Sequence, residues 1–280
     1  MNRVEFYLED LKSKFSKINP KDYYLSYSGG KDSHFLFWFI KNYLKDNQIA
    51  IVGINTYLEH EEILKRIYEN SDVILKPIMK PFEIKKKYGI PCFSKVQDNV
   101  IYYYQKGSRA KWVVEYVNGF DEEGNPWKYR INNTAKEKLL NNSLHKISNK
   151  CCTYLKKKPA SEFMRKTGLL PILGVRAAES IQRKSNYKSC FTKDKKFTPL
   201  YDLKDNLLND IYKYCNIEIP KIYNHVTRTG CMGCPYGSWK KDTEKELALV
   251  SDNQYKYLWE YFGESYEVLN ISRYRQLTLF

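Results

Sequence analysis

The sequence predicts an α/β fold with a parallel sheet. An apolar run at 23–27 leads through a glycine-containing turn into apolar residues at helical spacing. A second apolar run at 50–54 is followed by another helical segment, from about 61 to 69. Two strand–helix units in succession favour parallel strands joined by right-handed crossovers.

The remaining elements extend this pattern toward both ends of the chain. Apolar residues predict a helix at 4–15 and short strands at 73–75 and 171–175. A capped amphipathic helix is expected from residue 202 to 212, and a polar-faced helix from 242 to about 262.

Residues 78 to about 150 interrupt the alternation of strands and helices. This segment is basic and aromatic and contains a polar turn at 119–126. We interpret it as a helical insertion that shapes a substrate channel, with plain connecting helices as the alternative. We expect residues 1–240 to form one domain that contains the insertion, and residues 241–280 to form a C-terminal helical tail.

The composition favours a polyanionic partner. The 280 residues carry 47 Lys and Arg against 32 Asp and Glu, a formal net charge of +15, which suits a nucleotide or a nucleic acid. The 25 tyrosines could stack on bases. A lysine-rich solvated surface and tyrosines packed in the core are the alternatives.

The sequence shows no targeting signal and no membrane span. Residues 1–20 are charged and amphipathic, unlike a signal peptide, and no apolar run is long enough to cross a bilayer. We therefore expect a soluble cytoplasmic protein without a membrane partner. In that compartment the 7 cysteines are thiols or metal ligands rather than disulfides.

The turn after the first predicted strand has the composition of a phosphate-binding loop. Its six residues are Ser28, Gly29, Gly30, Lys31, Asp32 and Ser33. The glycines let the backbone bend sharply, and Asp32 or Ser33 can cap the helix that follows. The N–H groups at that helix start, with the charge of Lys31, make an anion site. The spacing is not the Walker pattern, and an ordinary strand–turn–helix corner is the alternative.

Two residues at other predicted strand ends are expected at the same site. Asn55 follows the second strand, and Arg176 follows strand 171–175. Ligands of parallel sheets bind beyond the carboxyl ends of the strands. We expect Arg176 to bind phosphate or sulfate through two parallel hydrogen bonds and, with Lys31, to stabilise developing negative charge. The alternative is a surface ion pair between Arg176 and Glu179.

Four cysteines form two pairs, Cys151 with Cys152 and Cys231 with Cys234. The second pair is a C-x-x-C motif, which suits zinc, a redox dithiol or an iron–sulfur cluster. Adjacent cysteines point apart and rarely reach one tetrahedral zinc ion, whereas a cubane offers four separate iron corners. Four cysteines are the ligand complement of a 4Fe–4S cluster. Zinc and a vicinal disulfide are the alternatives.

Basic residues near these pairs would offset the negative charge of a thiolate-ligated cluster. They are Lys150, Lys156, Lys157, Lys158 and Arg228. Three further cysteines remain. Cys215 is expected in the core, and Cys92 and Cys190 are expected to be free thiols, with a nucleophile or sulfur carrier as the alternative.

Together these motifs resemble the phosphoadenosine phosphosulfate reductase family, in the iron–sulfur branch that includes adenylyl-sulfate reductases and DNA phosphorothioation enzymes. The resemblance runs from about residue 23 to 237, and it rests on residues 28–33, 174–180, 198–200 and 219–220 and on the two cysteine pairs. It implies the Rossmann-like adenine nucleotide α-hydrolase fold of the PP-loop superfamily. It also implies an adenine nucleotide on the loop, with Gly174 and Arg176 beside it, and a cluster on the four paired cysteines.

One feature departs from the sulfonucleotide reductases of that family. Those enzymes resemble one another in a catalytic cysteine near the carboxyl terminus, whereas this chain has no cysteine after Cys234. The thiol that would attack the sulfur of sulfate is missing from its usual place. We therefore expect a reaction other than reduction of adenylyl sulfate.

Three functions stay open. The first is ATP- and Mg²⁺-dependent sulfur transfer to nucleic acid, in which an acceptor oxygen is adenylated, pyrophosphate leaves, and sulfur arrives from a donor protein of the cysteine desulfurase type. The second is a sulfonucleotide reductase that makes sulfite from adenylyl or phosphoadenylyl sulfate, with Cys92 or Cys190 as nucleophile. The third is a non-catalytic module that binds nucleotide and nucleic acid and holds a structural cluster.

Overall fold

The computed structural model describes residues 2–226, 229–236 and 242–273. The chain divides into two units. The first unit combines Met1–Pro77 with Lys158–Thr229, and the second combines Ile78–Lys157 with Gly230–Phe280. The segment that begins at Ile78 is thus inserted between two parts of the first unit.

Strands and helices are numbered in chain order. The strands of the described residues are β1 (Tyr23–Tyr27), β2 (Ala50–Ile54), β3 (Val73–Leu75) and β4 (Leu170–Leu173). The helices of the described residues are α1 (Arg3–Phe15), α2 (Lys31–Trp38), α3 (Glu61–Asn70), α4 (Pro81–Tyr88), α5 (Lys95–Gln105), α6 (Lys111–Asn118), α7 (Asn133–Leu140), α8 (Lys150–Cys152), α9 (Lys158–Thr167), α10 (Ile181–Asn186), α11 (Asp205–Tyr214), α12 (Asp242–Leu249) and α13 (Asp252–Val268).

The strands form one parallel sheet in the order β3-β2-β1-β4. In the central strand β1, Tyr27 lies opposite Gly53 of β2, and Ser26 lies opposite Leu173 of β4. The chain passes from β1 to β2 on one side and later returns to β4 on the other side, so the strand order reverses between β1 and β4. The predicted α/β class, parallel sheet and Rossmann-like topology are confirmed.

Apolar side chains from the sheet and its flanking helices form the core of the first unit. Its fully buried members include Leu25, Ile51, Ile172, Phe35 and Phe39. The end of α3 packs closely on β2 because Gly53 has no side chain. A Cβ at Gly53 would lie 2.5 Å from Oγ of Ser71.

Two predicted boundaries in the first unit are wrong. β4 ends at Leu173 rather than at Val175, because the N–H of Val175 turns back to the carbonyl of Leu173 at 2.9 Å. α11 begins at Asp205 rather than at Asp202. The Asp202 carboxylate accepts a hydrogen bond from Nζ of Lys14 at 2.7 Å, so a tertiary contact holds it outside the helix.

The predicted single helix from 242 to 262 is also wrong. The chain forms two helices there, α12 and α13, and Ser251 separates them. The Ser251 hydroxyl accepts from the N–H of Gln254 at 3.3 Å, and the Gln254 side chain accepts from the N–H of Ser251 at 3.0 Å. This reciprocal capping box starts a new helix.

The described part of the second unit consists of helices joined by loops and has a core of its own. Its buried members include Val100, Ile101, Val113, Val117 and Ile147. Between α6 and α7 the chain makes the expected polar turn, where Phe120 pairs with Pro126. In the part of the chain that the structure describes, no helix has the length and apolar character needed to cross a membrane.

His34 of α2 is held neutral in the first unit. Asn70 donates to the hydroxyl of Tyr27 at 3.4 Å, and that hydroxyl donates to Nδ1 of His34 at 2.8 Å. Burial and then the charge of Arg66 lower the pKa of His34 to about 4. An unfolded histidine titrates near pH ~6.5, so the unfolded chain takes up this proton first as the pH falls.

We expect the free energy of unfolding to fall between pH ~6.5 and the folded-state pKa of about 4, by up to roughly 3 kcal/mol from His34. In that window only the unfolded state binds the proton. His34→Gln keeps an acceptor for Tyr27 but does not titrate, so it should make the free energy of unfolding depend less steeply on pH. Part of the remaining pH dependence comes from His145, because burial also lowers the pKa of His145 to about 4. Urea unfolding across this pH range checks the expectation. A variant profile as steep as that of the unmutated protein would contradict it.

Candidate functional site

The first candidate site lies where the strand order of the sheet reverses. Residues 28–33 follow β1, and residues 174–176 follow the neighbouring strand β4. At such a switch point the loops after the two strands separate and leave a crevice in which ligands bind. The loop at 28–33 and Arg176 therefore meet at the place that the topology favours for a ligand.

The 28–33 loop is held closed by the hydroxyl of Ser33. This hydroxyl accepts from the N–H of Ser28 at 3.2 Å, lies 3.0 Å from the Ser28 hydroxyl, and donates to the carbonyl of Gly30 at 3.1 Å. Gly29 has φ +71°, a left-handed conformation that glycine adopts without strain. A Cβ at Gly29 would lie 2.9 Å from the carbonyl of Ile63 in α3, so the loop packs directly on that helix.

The loop presents backbone donors at the start of α2. Among the described residues, no group accepts a hydrogen bond from the N–H of Gly29, Gly30, Asp32 or Ser33. These N–H groups lie at the positive end of the α2 dipole. They are the donors that an anion would use.

Lys31 is anchored through both its backbone and its side chain. Its N–H donates to the hydroxyl of Tyr223 at 3.0 Å, and its carbonyl accepts from the hydroxyl of Tyr212 at 2.7 Å. Its Nζ lies 4.4 Å from the centre of the Tyr223 ring. Burial lowers the pKa of Lys31, and Asp32 opposes this effect. The charge of Lys31 is thus fixed beside the loop.

Tyr223 and Thr229 are site residues that the sequence did not reveal. Because the Tyr223 oxygen accepts from Lys31, its own proton is available for Oγ1 of Thr229, 2.8 Å away. A Cβ at Gly30 would lie 3.1 Å from the Tyr223 hydroxyl and 3.2 Å from Thr229 Oγ1. Two hydroxyls therefore border the loop next to its free N–H groups. Neither residue belongs to a recognisable sequence motif, and Tyr223 simply follows a turn that contains a proline.

Arg176 is a buried residue that joins two carboxylates. Its Nε donates to Asp32 at 2.5 Å and its Nη1 donates to Asp205 at 2.6 Å. The Arg176 side chain is 8% exposed, whereas that of Asp205 is 72% exposed. The alternative pairing with Glu179 occurs only through the Arg176 backbone N–H, at 3.3 Å, because the Glu179 carboxylate pairs with Arg183. Burial raises the pKa of Asp32, and Arg176 opposes this effect.

Gly174 and Asn55 occupy the same edge of the sheet in different ways. A Cβ at Gly174 would lie 2.9 Å from the backbone N of Ser33, so this glycine lets the chain after β4 pack against the loop. Asn55 donates to the hydroxyl of Tyr68 at 2.9 Å and accepts from the N–H of Tyr57 at 2.9 Å. No hydrogen bond between Asn55 and the loop occurs among the described residues.

The second candidate site is the group of paired cysteines, all in the second unit. Cys151 interacts electrostatically with Cys152, Cys231 and Cys234. Cys234 interacts in the same way with Cys231 and Cys152. The structure therefore brings together two pairs that are far apart in the sequence.

The adjacent thiols affect each other's pKa. Interaction with the Cys151 thiol lowers the pKa of Cys152 to about 6, and Lys95, Lys156 and Lys157 lower it further. Interaction with Cys152, together with burial, raises the pKa of Cys151. Of the expected basic residues, Lys156 and Lys157 favour a thiolate here, together with Lys95, which was not predicted. Arg228 lies outside the described residues.

Four thiols are the donor set that a 4Fe–4S cluster requires. Within residues 2–226, 229–236 and 242–273, no three His, Cys, Asp or Glu side chains lie close enough together to hold one ion. Tetrahedral zinc with bonds of about 2.3 Å needs sulfurs roughly 3.8 Å apart. The thiolates of a cubane bind separate irons.

Side chains from two helices hold the C-x-x-C turn. Gly233 has φ +62°; its N–H donates to Glu246 of α12 at 2.9 Å, and its carbonyl accepts from the hydroxyl of Tyr266 of α13 at 2.5 Å. A Cβ at Gly233 would lie 2.6 Å from the Tyr266 hydroxyl. The backbone between Cys231 and Cys234 is thus fixed by buried polar groups.

Asp98 of α5 anchors the same turn from another side. Its carboxylate accepts from the N–H groups of Cys92 at 2.7 Å and Phe93 at 3.0 Å, and from the hydroxyl of Tyr236 at 2.9 Å. Burial raises the pKa of Asp98 to about 6, and these hydrogen bonds oppose the rise. Asp98 therefore connects the start of α5 to the residues just after Cys234.

The three remaining cysteines are buried or partly buried. Cys92 is fully buried, and burial raises the pKa of its thiol. Cys190 and Cys215 pack against the core of the first unit, and burial raises the pKa of each, to about 11 for Cys215. Since the thiolate is the nucleophile, these surroundings disfavour a nucleophilic role for all three.

Comparison with known proteins finds no family model and no curated protein that matches the chain. What the protein does is therefore argued from its own residues. Those residues are the 28–33 loop in the first unit and the four paired cysteines in the second.

Proposed function

We propose that the protein is a PP-loop enzyme that binds an adenine nucleotide and transfers sulfur to a nucleic-acid acceptor. The observation that carries this proposal is the 28–33 loop, which combines unpaired backbone N–H groups with the charge of Lys31 at the switch point of the sheet. The resemblance of its motifs to phosphoadenosine phosphosulfate reductases supports an adenine nucleotide and the adenine nucleotide α-hydrolase variant of the Rossmann-like fold.

In this proposal the loop binds the phosphates of ATP. The N–H groups of Gly29, Gly30, Asp32 and Ser33 donate to phosphate oxygens, and Lys31 neutralises their charge. Mg²⁺ would be held mainly through the phosphates, as it is in other nucleotide sites. Asn55 and Gly174 border the same edge of the sheet and complete the proposed nucleotide site.

The loop then assists the departure of pyrophosphate. An oxygen of the acceptor attacks the α-phosphorus, a new P–O bond forms, and the bond to the β-phosphate breaks with its electron pair leaving on pyrophosphate. Lys31 and the loop N–H groups stabilise that developing charge. A persulfide on a donor protein of the cysteine desulfurase type attacks the activated acceptor, and AMP leaves with the electron pair of the broken bond. A thiol reductant then cleaves the S–S bond to the donor and leaves the sulfur on the acceptor.

We propose that Arg176 acts mainly by fixing the loop. Two of its donor groups are taken by Asp32 and Asp205. Its Nη2 forms no hydrogen bond to a described residue and is the group proposed to reach a phosphate or sulfate oxygen. The Asp32 pair orients the first turn of α2, where the proposed phosphate donors lie.

Cys151, Cys152, Cys231 and Cys234 are the proposed ligands of a 4Fe–4S cluster. When bound, such a cluster supplies a redox-active centre that contains sulfide. Glu246, Tyr266 and Asp98 hold the C-x-x-C turn in place, and Lys95, Lys156 and Lys157 favour thiolate ligands.

The proposal excludes Cys92 from the role of sulfonucleotide nucleophile. Its thiol is fully buried and its pKa is raised, so it supplies little thiolate at neutral pH. A sulfonucleotide reductase would reveal itself by forming sulfite from adenylyl sulfate and a thiol donor. A non-catalytic module would bind the nucleotide tightly without releasing pyrophosphate.

We expect anaerobically purified protein to release pyrophosphate from ATP only when single-stranded DNA or RNA is present. Lys31→Ala should slow this release on the order of 100-fold, because one positively charged group at the leaving phosphates is lost. Lys21→Ala removes an exposed lysine outside the loop and should leave the rate unchanged. A coupled pyrophosphate assay measures the rate of release by the unmutated protein and by the two variants. Absence of release with every nucleic acid, or equal rates for the two variants, would reject the proposal.

The cysteine proposal predicts iron and sulfide in the anaerobically purified protein. About four of each per chain are expected, with the broad visible absorbance of a 4Fe–4S cluster. Cys234→Ser should lose most of this iron. Cys215→Ser, which changes a cysteine at the end of α11, should keep it. Stoichiometric zinc, or equal iron in the two variants, would contradict the assignment.

A further inference from the structure

The second unit carries a row of aromatic side chains beside a lysine, which we call the basic–aromatic strip. Its members are Tyr88, Tyr102, Tyr103, Trp112, Lys150 and Tyr154. The rings of Tyr88 and Tyr154 stack at 4.9 Å, and those of Tyr103 and Trp112 meet edge to face at 5.7 Å. Nζ of Lys150 lies 4.9 Å from the ring centre of Tyr102 and 5.8 Å from that of Tyr103. Tyr102, Tyr103, Trp112 and Lys150 therefore form one contacting group, and Tyr102 lies within electrostatic range of Tyr88 and Tyr154.

Part of the strip faces solvent. Tyr103 is 37% exposed and Trp112 is 45% exposed. Both rings lie outside the core of the second unit, whose buried members on the same two helices are Val100, Ile101, Val113 and Val117. These two adjacent rings therefore form an exposed apolar surface that is available to a binding partner.

The sequence segment that carries the strip is strongly positive. Residues 78–157 contain 16 Lys and Arg against 7 Asp and Glu, a net charge of +9 out of +15 for the whole chain. Two of those acidic side chains, Asp98 and Glu115, are buried. The exposed guanidinium of Arg109 lies 4.2 Å from the ring centre of Tyr104, next to the strip in the sequence. The partner that complements this surface is a polyanion with flat apolar faces.

We propose that the basic–aromatic strip binds single-stranded nucleic acid. Bases stack on Tyr103 and Trp112, and the phosphate backbone pairs with Lys150 and Arg109. In a duplex both faces of each base are already stacked, so only an unpaired strand can offer them to the rings. This inference rests on the proposed function and names the surface of the second unit that holds its acceptor.

The strip also runs into the helical segment that carries two of the paired thiols. Lys150 immediately precedes Cys151, and Tyr154 follows Cys152 by two residues. Residues Thr153–Lys157 form a π-helical turn, a distortion common at functional sites. A nucleic-acid strand bound to the strip would therefore lie along the segment that bears Cys151 and Cys152.

Fluorescence anisotropy with labelled oligothymidylate and oligouridylate of about 15 nucleotides tests the proposal on the full chain. The double variant Tyr103→Ala/Trp112→Ala should raise the Kd roughly 10- to 100-fold, because base stacking on two rings is lost. Tyr103→Phe keeps the ring and should bind normally. The control Trp127→Ala/Tyr129→Ala removes two other aromatic side chains of the same unit, 37% and 53% exposed, and should leave the Kd unchanged.

The outcomes separate this inference from the proposed function. If the unmutated protein and the strip variant bind the oligonucleotide equally well, the strip is not the binding surface, although nucleic acid remains the proposed acceptor. If a duplex of equal length binds as tightly as the single strand, the proposal that bases stack on the strip is wrong. If the unmutated protein binds no nucleic acid, both proposals fail. Unchanged circular dichroism and ATP binding of the strip variant show that a raised Kd is not caused by unfolding.

Discussion

The ion pair between Arg176 and Asp32 joins the two loops on which the first candidate site depends. It connects the residues after β4 to the first turn of α2, across the point where the strand order reverses. Because the Arg176 side chain is buried, removal of either partner would leave a poorly solvated charge, a loss of about 3–5 kcal/mol in comparable buried pairs. Gly174 adds a close backbone contact at the same junction. The position of the loop N–H groups therefore follows from contacts between neighbouring strands.

The candidate cysteine site in the second unit is also held by contacts between residues far apart in the sequence. The C-x-x-C motif is short, and polar side chains from distant parts of the chain fix its backbone. Glu246 and Tyr266 bind Gly233 directly, and Asp98 binds Tyr236 just beyond Cys234. Buried polar groups of this kind are costly unless satisfied. Their hydrogen bonds to Gly233 and Tyr236 fix the chain on both sides of Cys234.

Local patterns were sufficient to predict much of the fold. The bounds of β1, β2 and β3 followed from short apolar runs ended by turn residues, and the loop at 28–33 is defined by six consecutive positions. One boundary set by a tertiary contact was missed, because Lys14 holds Asp202 outside α11. The Ser251 capping box, a local pattern that divides the C-terminal helix, was missed as well. The long-range partners Tyr223 and Asp98 were not foreseen either. Tyr223 lies 192 residues from Lys31, and Asp98 lies 138 residues from Tyr236, so no local pattern links them.

The most direct measurement is the response of the loop amides to a non-hydrolysable ATP analogue. In a nitrogen–hydrogen correlation spectrum of selectively labelled protein, the N–H signals of Gly29, Gly30, Asp32 and Ser33 should shift together and reach saturation at one common Kd. The signal of Gly168, a glycine with open space around it, should remain in place. Saturable shifts confined to other residues, or no shift at any analogue concentration, would contradict the account that this loop binds the phosphates.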